Sequence, residues 1–250
     1  MNKIPQITLA FWIAKICATT LGETAGDLLS MTLNVGYAVS SLILLGFFVG
    51  TLFLQLRSKK FHPAMYWSVI LATSTAGTTM SDFMDRTLGL GYAAGSLLLV
   101  TLLVLTLLLW KRTEQTISVT KISSFRGELF YWTAILFSNT LGTALGDFLA
   151  DNSGLGFSGG AFLIGSLLMI LVVLYYATKM SGVVLFWAAF VLTRPFGATF
   201  GDFLTKPAAS GGMNFGTAGS SAILLIILIL VIVITYVRNK TVIDESAPAA

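Results

Sequence analysis

Four times along this chain a tryptophan is followed fifteen residues later by an aspartate: Trp12 and Asp27, Trp67 and Asp82, Trp132 and Asp147, Trp187 and Asp202. The tryptophans are spaced 55, 65 and 55 residues apart, and a glycine stands five residues before each aspartate, at Gly22, Gly77, Gly142 and Gly197. A period of this length marks a repeated supersecondary unit, which limits the architectures open to the chain before any single residue is weighed. The four segments read TTLGETAGDLL, STAGTTMSDFM, NTLGTALGDFL and RPFGATFGDFL. Each aspartate is followed by a short connection with a glycine (Gly36, Gly91, Gly156, and Gly216 given an insertion of five residues around Pro207), then by an almost purely apolar segment.

Those apolar segments decide the solvent. Of 250 residues 56% are hydrophobic and only 10% charged, where soluble domains carry about 25% charged residues, and the mean hydropathy is +0.87. Runs such as Ala222 to Val237 and Leu97 to Trp110 belong in a bilayer, which excludes an ordinary soluble enzyme. Helices are expected over 7–30, 37–56, 64–84, 92–110, 129–150, 157–178, 183–204 and 217–237. The fold class is therefore an all-α membrane protein of eight transmembrane helices, a single domain over 1–250 with repeats 7–56, 62–110, 127–178 and 182–237. Each repeat reads as a helical hairpin, and residues 238–250 as a disordered polar tail. The start of the chain lacks a short apolar segment ending at a small-residue cleavage site, so the first helix is expected to be retained.

Lys3, Arg57, Lys59, Lys60, Lys111, Arg112, Lys121, Arg126, Lys179, Arg238 and Lys240 all fall on one side of such a bundle; only Arg86 and Lys206 fall near the other. The positive-inside rule then places both termini in the cytoplasm. With two helices per repeat, all four repeats share one orientation, giving a parallel arrangement that is pseudo-symmetric about the membrane normal. Membrane topology accounts for the net charge of +4, so no nucleic-acid partner is called for. One cysteine, Cys17, and one histidine, His62, exclude an internal disulfide and clusters of the kind zinc prefers.

The first helix of each repeat carries polar residues four apart, which share one face: Lys15, Thr19, Glu23, Asp27; Ser74, Thr78, Asp82, Arg86; Asn139, Thr143, Asp147, Asp151; Arg194, Asp202, Lys206. A carboxylate in hydrocarbon costs about 2.5–3.5 kcal/mol on insertion scales, so the four faces are expected to turn toward one another. Six acids against four bases leave this stripe at net minus two. Oxygen ligands without thiol or imidazole suit hard cations such as Mg²⁺, Ca²⁺, Mn²⁺, Na⁺ or protons.

The candidate ion-binding residues are thus Asp27, Asp82, Asp147 and Asp202, also the candidate metal ligands, with Glu23, Arg194, Asn139 and Thr19. Lys15 is read as a snorkelling partner for an acid, and Arg194, deeper and next to Pro195, as the more functional of the two. Arg86 and Lys206, one turn beyond Asp82 and Asp202, are simple salt partners, and Asp27 and Asp147 lack such a neighbour. Flanking glycines and Pro195 leave open whether the helices break near the midplane. The glycines themselves form small-xxx-small pairs, which serve close helix packing. The tryptophans, Tyr37, Tyr92 and Phe157 read as membrane anchors, His62 as solvated and Cys17 as packing.

With Lys15 to Asp27, Thr73 to Phe83, Phe137 to Asp151 and Phe186 to Pro207 in register, the chain resembles, over its whole length, a family of bacterial integral membrane proteins labelled "membrane-anchored protein". That resemblance implies a bacterial inner-membrane location and brings no reaction with it. Glu23-Thr-Ala-Gly-Asp27 is also similar to the E-x-G-D-(K/R) motif of calcium or manganese for proton exchangers, with one extra residue between the acids and no basic residue after them.

Three functions compete. The preferred one is a cation transporter or channel, non-enzymatic, without a resident cofactor, its substrate an inorganic cation or proton and its surroundings the lipid bilayer, with oligomers possible. Intramembrane aspartyl proteolysis expects GxGD with a Tyr-Asp partner, and the spacing here is GxxxGD with no such pair. The third is an assembly or sensor protein whose stripes hold the bundle together.

Overall fold

A computed structural model describes residues 3–122 and 124–246, with side chains through Arg238. Among these residues the chain is all-helical, with long helices α1 (Leu9–Asp27), α2 (Tyr37–Arg57), α3 (Pro63–Asp82), α4 (Tyr92–Glu114), α5 (Phe125–Asp147), α6 (Gly156–Ala177), α7 (Gly182–Thr205) and α8 (Thr217–Ser246). The last of these enters the stretch expected to be an unstructured tail; its residues 247–250 lie outside those described.

Five helical spans are long and apolar enough to cross a membrane: Tyr37–Arg57, Tyr92–Lys121, Gly156–Ala177, Gly182–Thr205 and Thr217–Arg238. Helices α1, α3 and α5 have the length but are diluted by the polar stripe. The apolar spans leave large side chains such as Leu42, Val49, Leu97, Phe162, Val173 and Ile226 exposed, as a lipid-facing surface requires.

The odd helices form a closed ring in which α1 packs on α3 and α7, and α5 packs on α3 and α7. The even helices stand outside it, and here the hairpin expectation needs correcting. Helix α2 packs chiefly on α3, α4 on α5, α6 on α7, and α8 returns to α1. The second helix of each repeat thus covers the first helix of the next, and α8 closes the circle.

The connections explain this reach. Asp27, Asp82 and Asp147 each end an α-helix and lead into a π-helical turn, Leu28–Thr32, Phe83–Thr87 and Phe148–Asn152. Such wide turns are rare and concentrate at functional sites. Gly36, Gly91, Gly156 and Gly216 then take φ of 81°, 73°, 66° and 72°, and two residues before them Asn34, Gly89, Gly154 and Asn214 are also left-handed. A Cβ on any of those four later glycines would meet nothing within 4 Å, so backbone conformation, not space, selects glycine there.

Close packing rests on a different set. A Cβ on Gly22 would lie 2.3 Å from Ser74 Cβ, on Gly77 3.0 Å from the Asn139 backbone, on Gly142 2.2 Å from Arg194 Cγ, and on Gly197 2.6 Å from Thr19 Oγ1. Each ring glycine receives the stripe residue of the following repeat, and the fourth receives the first. Pro195 lies inside an unbroken α7, so none of the ring helices is interrupted between its tryptophan and its aspartate.

At the end away from the aspartates the ring is filled by aromatic side chains. Tyr66 and Tyr131 share a 2.6 Å hydrogen bond between hydroxyls, and Phe11 and Phe186 approach to 6.3 Å between centroids. Trp67, Trp132 and Trp187 are buried among them, which corrects the reading of these tryptophans as interfacial anchors. A tryptophan near a helix end serves either surface, and these three pack against the aromatic residues that immediately precede them, Tyr66, Tyr131 and Phe186. Cys17 packs against α8, its thiol donating to the Leu224 carbonyl, and His62 is exposed at the start of α3.

Candidate functional site

Four stripe positions from four helices make successive tiers along the ring. At the upper end lie Asp27, Asp82, Asp147 and Asp202, all buried. One turn below are Glu23, Thr78 and Thr143, with Ala198 as the fourth member; below them come Thr19, Ser74, Asn139 and Arg194; Lys15 occupies the next turn with Ile70, Ile135 and Phe190.

Two cations bridge the four aspartates in pairs. Arg86 places Nε 2.9 Å from Asp82 Oδ1 and a terminal nitrogen 3.0 Å from Asp147 Oδ2. Lys206 Nζ lies 2.7 Å from Asp27 Oδ2 and 3.1 Å from Asp202 Oδ1. Each base therefore serves its own repeat and the next one, so Asp27 and Asp147 have basic partners after all. The bases are the more exposed members, with 33% and 23% of their side chains accessible against 2–5% for the aspartates. Tyr92 is part of this end, its hydroxyl donating to Asp151 at 3.3 Å and its ring lying 5.6 Å from the Arg86 guanidinium. It holds charged groups here rather than acting only as a membrane anchor.

Beneath the aspartates, Arg194 is fully buried and donates to Glu23 Oε2 at 3.0 Å. Its other terminal nitrogen reaches Thr78 Oγ1 at 2.5 Å, Thr143 Oγ1 at 2.8 Å and the Ser74 carbonyl at 3.2 Å. Both threonine hydroxyls also donate to Glu23 Oε2. One guanidinium from α7 thereby ties together α1, α3 and α5. The threonines belong to the stripe but are absent from the candidate ligands; their four-residue spacing was the available signal.

Carboxylate oxygens of Glu23, Asp147 and Asp202 lie within 4.8 Å of one another. Each of these acids is held by a different base: Arg194, Arg86 and Lys206 respectively. Three oxygens so placed could hold a hard cation. Asp147 and Asp202 of the expected metal ligands belong to this group, with Glu23 as its third member; Asp27 and Asp82 stand beside it. Asn139 and Thr19 lie lower, Asn139 donating to Thr73 Oγ1 at 2.8 Å and Thr19 donating to the carbonyls of Lys15, Ile16 and Thr193.

Lys15 departs from its expected role. It is fully buried, donates to Asn139 Oδ1 at 3.3 Å and sits 4.0 Å above the Phe190 ring. A lysine one helical turn from the tryptophan level can snorkel only if its helix faces lipid there, and α1 faces the ring.

The repeat pattern matches a family description, Repeat of Unknown Function (DUF347), four times, at residues 10–61, 65–116, 130–181 and 185–241. No curated protein and no solved structure matches the chain. The four matches cover most of the sequence, and the chain belongs to the DUF347 repeat family.

Proposed function

We propose that this member of the DUF347 repeat family moves a small hard cation, coupled to protons, across the bacterial inner membrane, with the carboxylate end of the ring as its binding site. One observation carries the reading. Five buried carboxylates, Glu23, Asp27, Asp82, Asp147 and Asp202, are in contact with three bases, Arg86, Arg194 and Lys206. An excess of two negative charges in a low-dielectric setting calls for bound cations or protons. The reading takes all eight helices as transmembrane, the four repeats as pseudo-symmetric about the membrane normal, and both termini as cytoplasmic, by the distribution of Lys and Arg. The aspartates then lie toward the periplasm, about 22 Å along the helices from the tryptophans.

The triad of Glu23, Asp147 and Asp202 supplies three oxygens, and the basic side chains are tethered competitors for them. An incoming cation displaces Lys206 from Asp202 and Asp27. Arg194 holds Glu23 in place between α1, α3 and α5. Proton exchange on the carboxylates supplies the coupling step.

A second reading has its own support: each of the four aspartates already has a basic partner, as a purely structural bundle would require. Flux into proteoliposomes over a panel of Mn²⁺, Mg²⁺, Ca²⁺, Na⁺ and K⁺, with a pH-sensitive dye inside, separates the two. Transport is expected for wild type and its loss in a folded Asp147→Asn variant. Well-folded wild type that moves none of these ions and no protons leaves the bundle as an assembly or sensor.

A further inference from the structure

The end of the ring away from the aspartates contains a cavity of about 160 Å³. Lys3, Gln55, Leu56, Glu128, Tyr131 and Trp132 are among its lining residues. They come from the chain start, the end of α2 and the first turns of α5, elements that lie far apart in sequence. Glu128 precedes Asp147 on the same helix by 19 residues, a rise of about 28 Å.

Three polar atoms on this lining are buried and unpartnered: Gln55 Oε1, Glu128 Oε1 and Trp132 Nε1. Their residues are 1%, 7% and 1% exposed. Buried polar atoms nearly always find partners, so three lining one cavity point to what fills it. Two are acceptors and one a donor. A bare apolar ligand satisfies none of them, and an anion would meet Glu128 face to face.

The remaining contacts are already those of a cation site. The Lys3 ammonium lies 2.7 Å from Glu128 Oε2 and 3.0 Å from the Leu56 carbonyl oxygen. Lys3 approaches from a chain end with 21% of its side chain accessible. Glu128, Gln55 and the Leu56 carbonyl thus present oxygen only, and an ammonium carried on a short tether occupies part of the set.

We propose that this cavity is a second cation site, a vestibule at the end of the ring opposite the aspartates, that admits a hydrated inorganic cation in competition with Lys3. Water around the ion donates to Gln55 Oε1 and Glu128 Oε1 and accepts from Trp132 Nε1. The volume has room for an ion with a few waters, at about 30 Å³ per water. Tyr131, on the same wall, reaches Tyr66 on the neighbouring ring helix α3, so the vestibule abuts the aromatic cluster that fills this end of the ring. The proposal rests on the transport reading for its physiological meaning, while the binding it describes stands or falls separately.

Equilibrium Mn²⁺ binding to the full chain in detergent, followed by loss of the free Mn²⁺ paramagnetic signal, tests it. Lys3→Met removes the tethered competitor and is expected to tighten the vestibule site roughly tenfold, since a short tether holds its ligand at millimolar effective concentration. Glu128→Gln is expected to abolish that gain in the Lys3→Met background, and Gln55→Leu to weaken it. Asp147→Asn should leave the gain in place. Mn²⁺ binding that is unchanged by Lys3→Met in protein eluting as wild type overturns the vestibule, even if flux remains sensitive to Asp147→Asn. A Lys3-dependent, Glu128-dependent site in a protein that transports nothing upholds the vestibule and overturns the transport reading. Should Glu128→Gln fail to fold, the Lys3→Met and Gln55→Leu pair still decides.

Discussion

At the scale of single residues, the pair of Glu23 and Arg194 has the sharpest consequences, because both are buried and each has the other as its ionic partner. Replacing Arg194 by Met leaves a buried carboxylate without its ionic partner, a loss of about 3–5 kcal/mol in comparable buried pairs. The variant should melt well below wild type in detergent, and Glu23→Gln in the same chain should recover much of the loss. No recovery in the double variant would mean that the guanidinium matters for its threonine and backbone contacts rather than for charge. Asp147 behaves differently. Its partner Arg86 keeps Asp82 when Asp147 becomes Asn, so the change in melting should be small. A large loss of stability from Asp147→Asn would argue for the structural reading of the stripe.

At the scale of helices, the ring glycines make a contrast available within one protein. Gly142→Ala places a methyl group 2.2 Å from Arg194 Cγ and 2.9 Å from the Pro195 nitrogen, so α5 and α7 must part, and a loss of more than about 2 kcal/mol is expected. Gly46→Ala on α2 meets nothing within 4 Å and should be neutral or slightly stabilising through helix propensity. Gly91→Ala lies between them: the space is open, but its φ of 73° costs an L-residue about 1–2 kcal/mol. Thermal melts of the three variants should rank Gly142→Ala lowest and Gly46→Ala highest. The packing role of these glycines was legible because small residues four apart face one way. The placement of α2, α4, α6 and α8 was not legible, since a helix that is apolar all round names no neighbour. The partner choices of Arg86 and Lys206 were hidden for a related reason. Spacing within a helix shows that Asp82 lies one turn from Arg86, but the approach of Asp147 depends on the order of helices around the ring. Trp132 and its counterparts were misread because residue type alone does not say which face of the helix meets lipid.

At the scale of the whole molecule, the two halves of the chain repeat the same order of long helices and stripe positions and differ in charge within the two tiers below the aspartates. Repeats one and two carry Glu23 and Ser74 where repeats three and four carry Thr143 and Arg194. Two copies of the first half would therefore bury two glutamates in these two tiers with no arginine, and two copies of the second half two arginines with no glutamate. Unpaired buried charge is costly by several kcal/mol, whereas one half of each kind yields the observed Glu23–Arg194 contact. The interfaces between halves, α5 against α3 and α4 and α1 against α7 and α8, are otherwise alike in their glycine-to-stripe fit, Gly77 on Asn139 and Gly197 on Thr19. A chain cut in the connection between α4 and α5 should then reassemble from co-expressed halves into one-to-one complexes and not into homodimers. Replacing Glu23 by Thr in the first half should release its homodimer, as Arg194→Ser should in the second. Co-purification with differently tagged halves checks this, and homodimers already abundant with both charges intact would show that the ion pair does not dictate which half meets which.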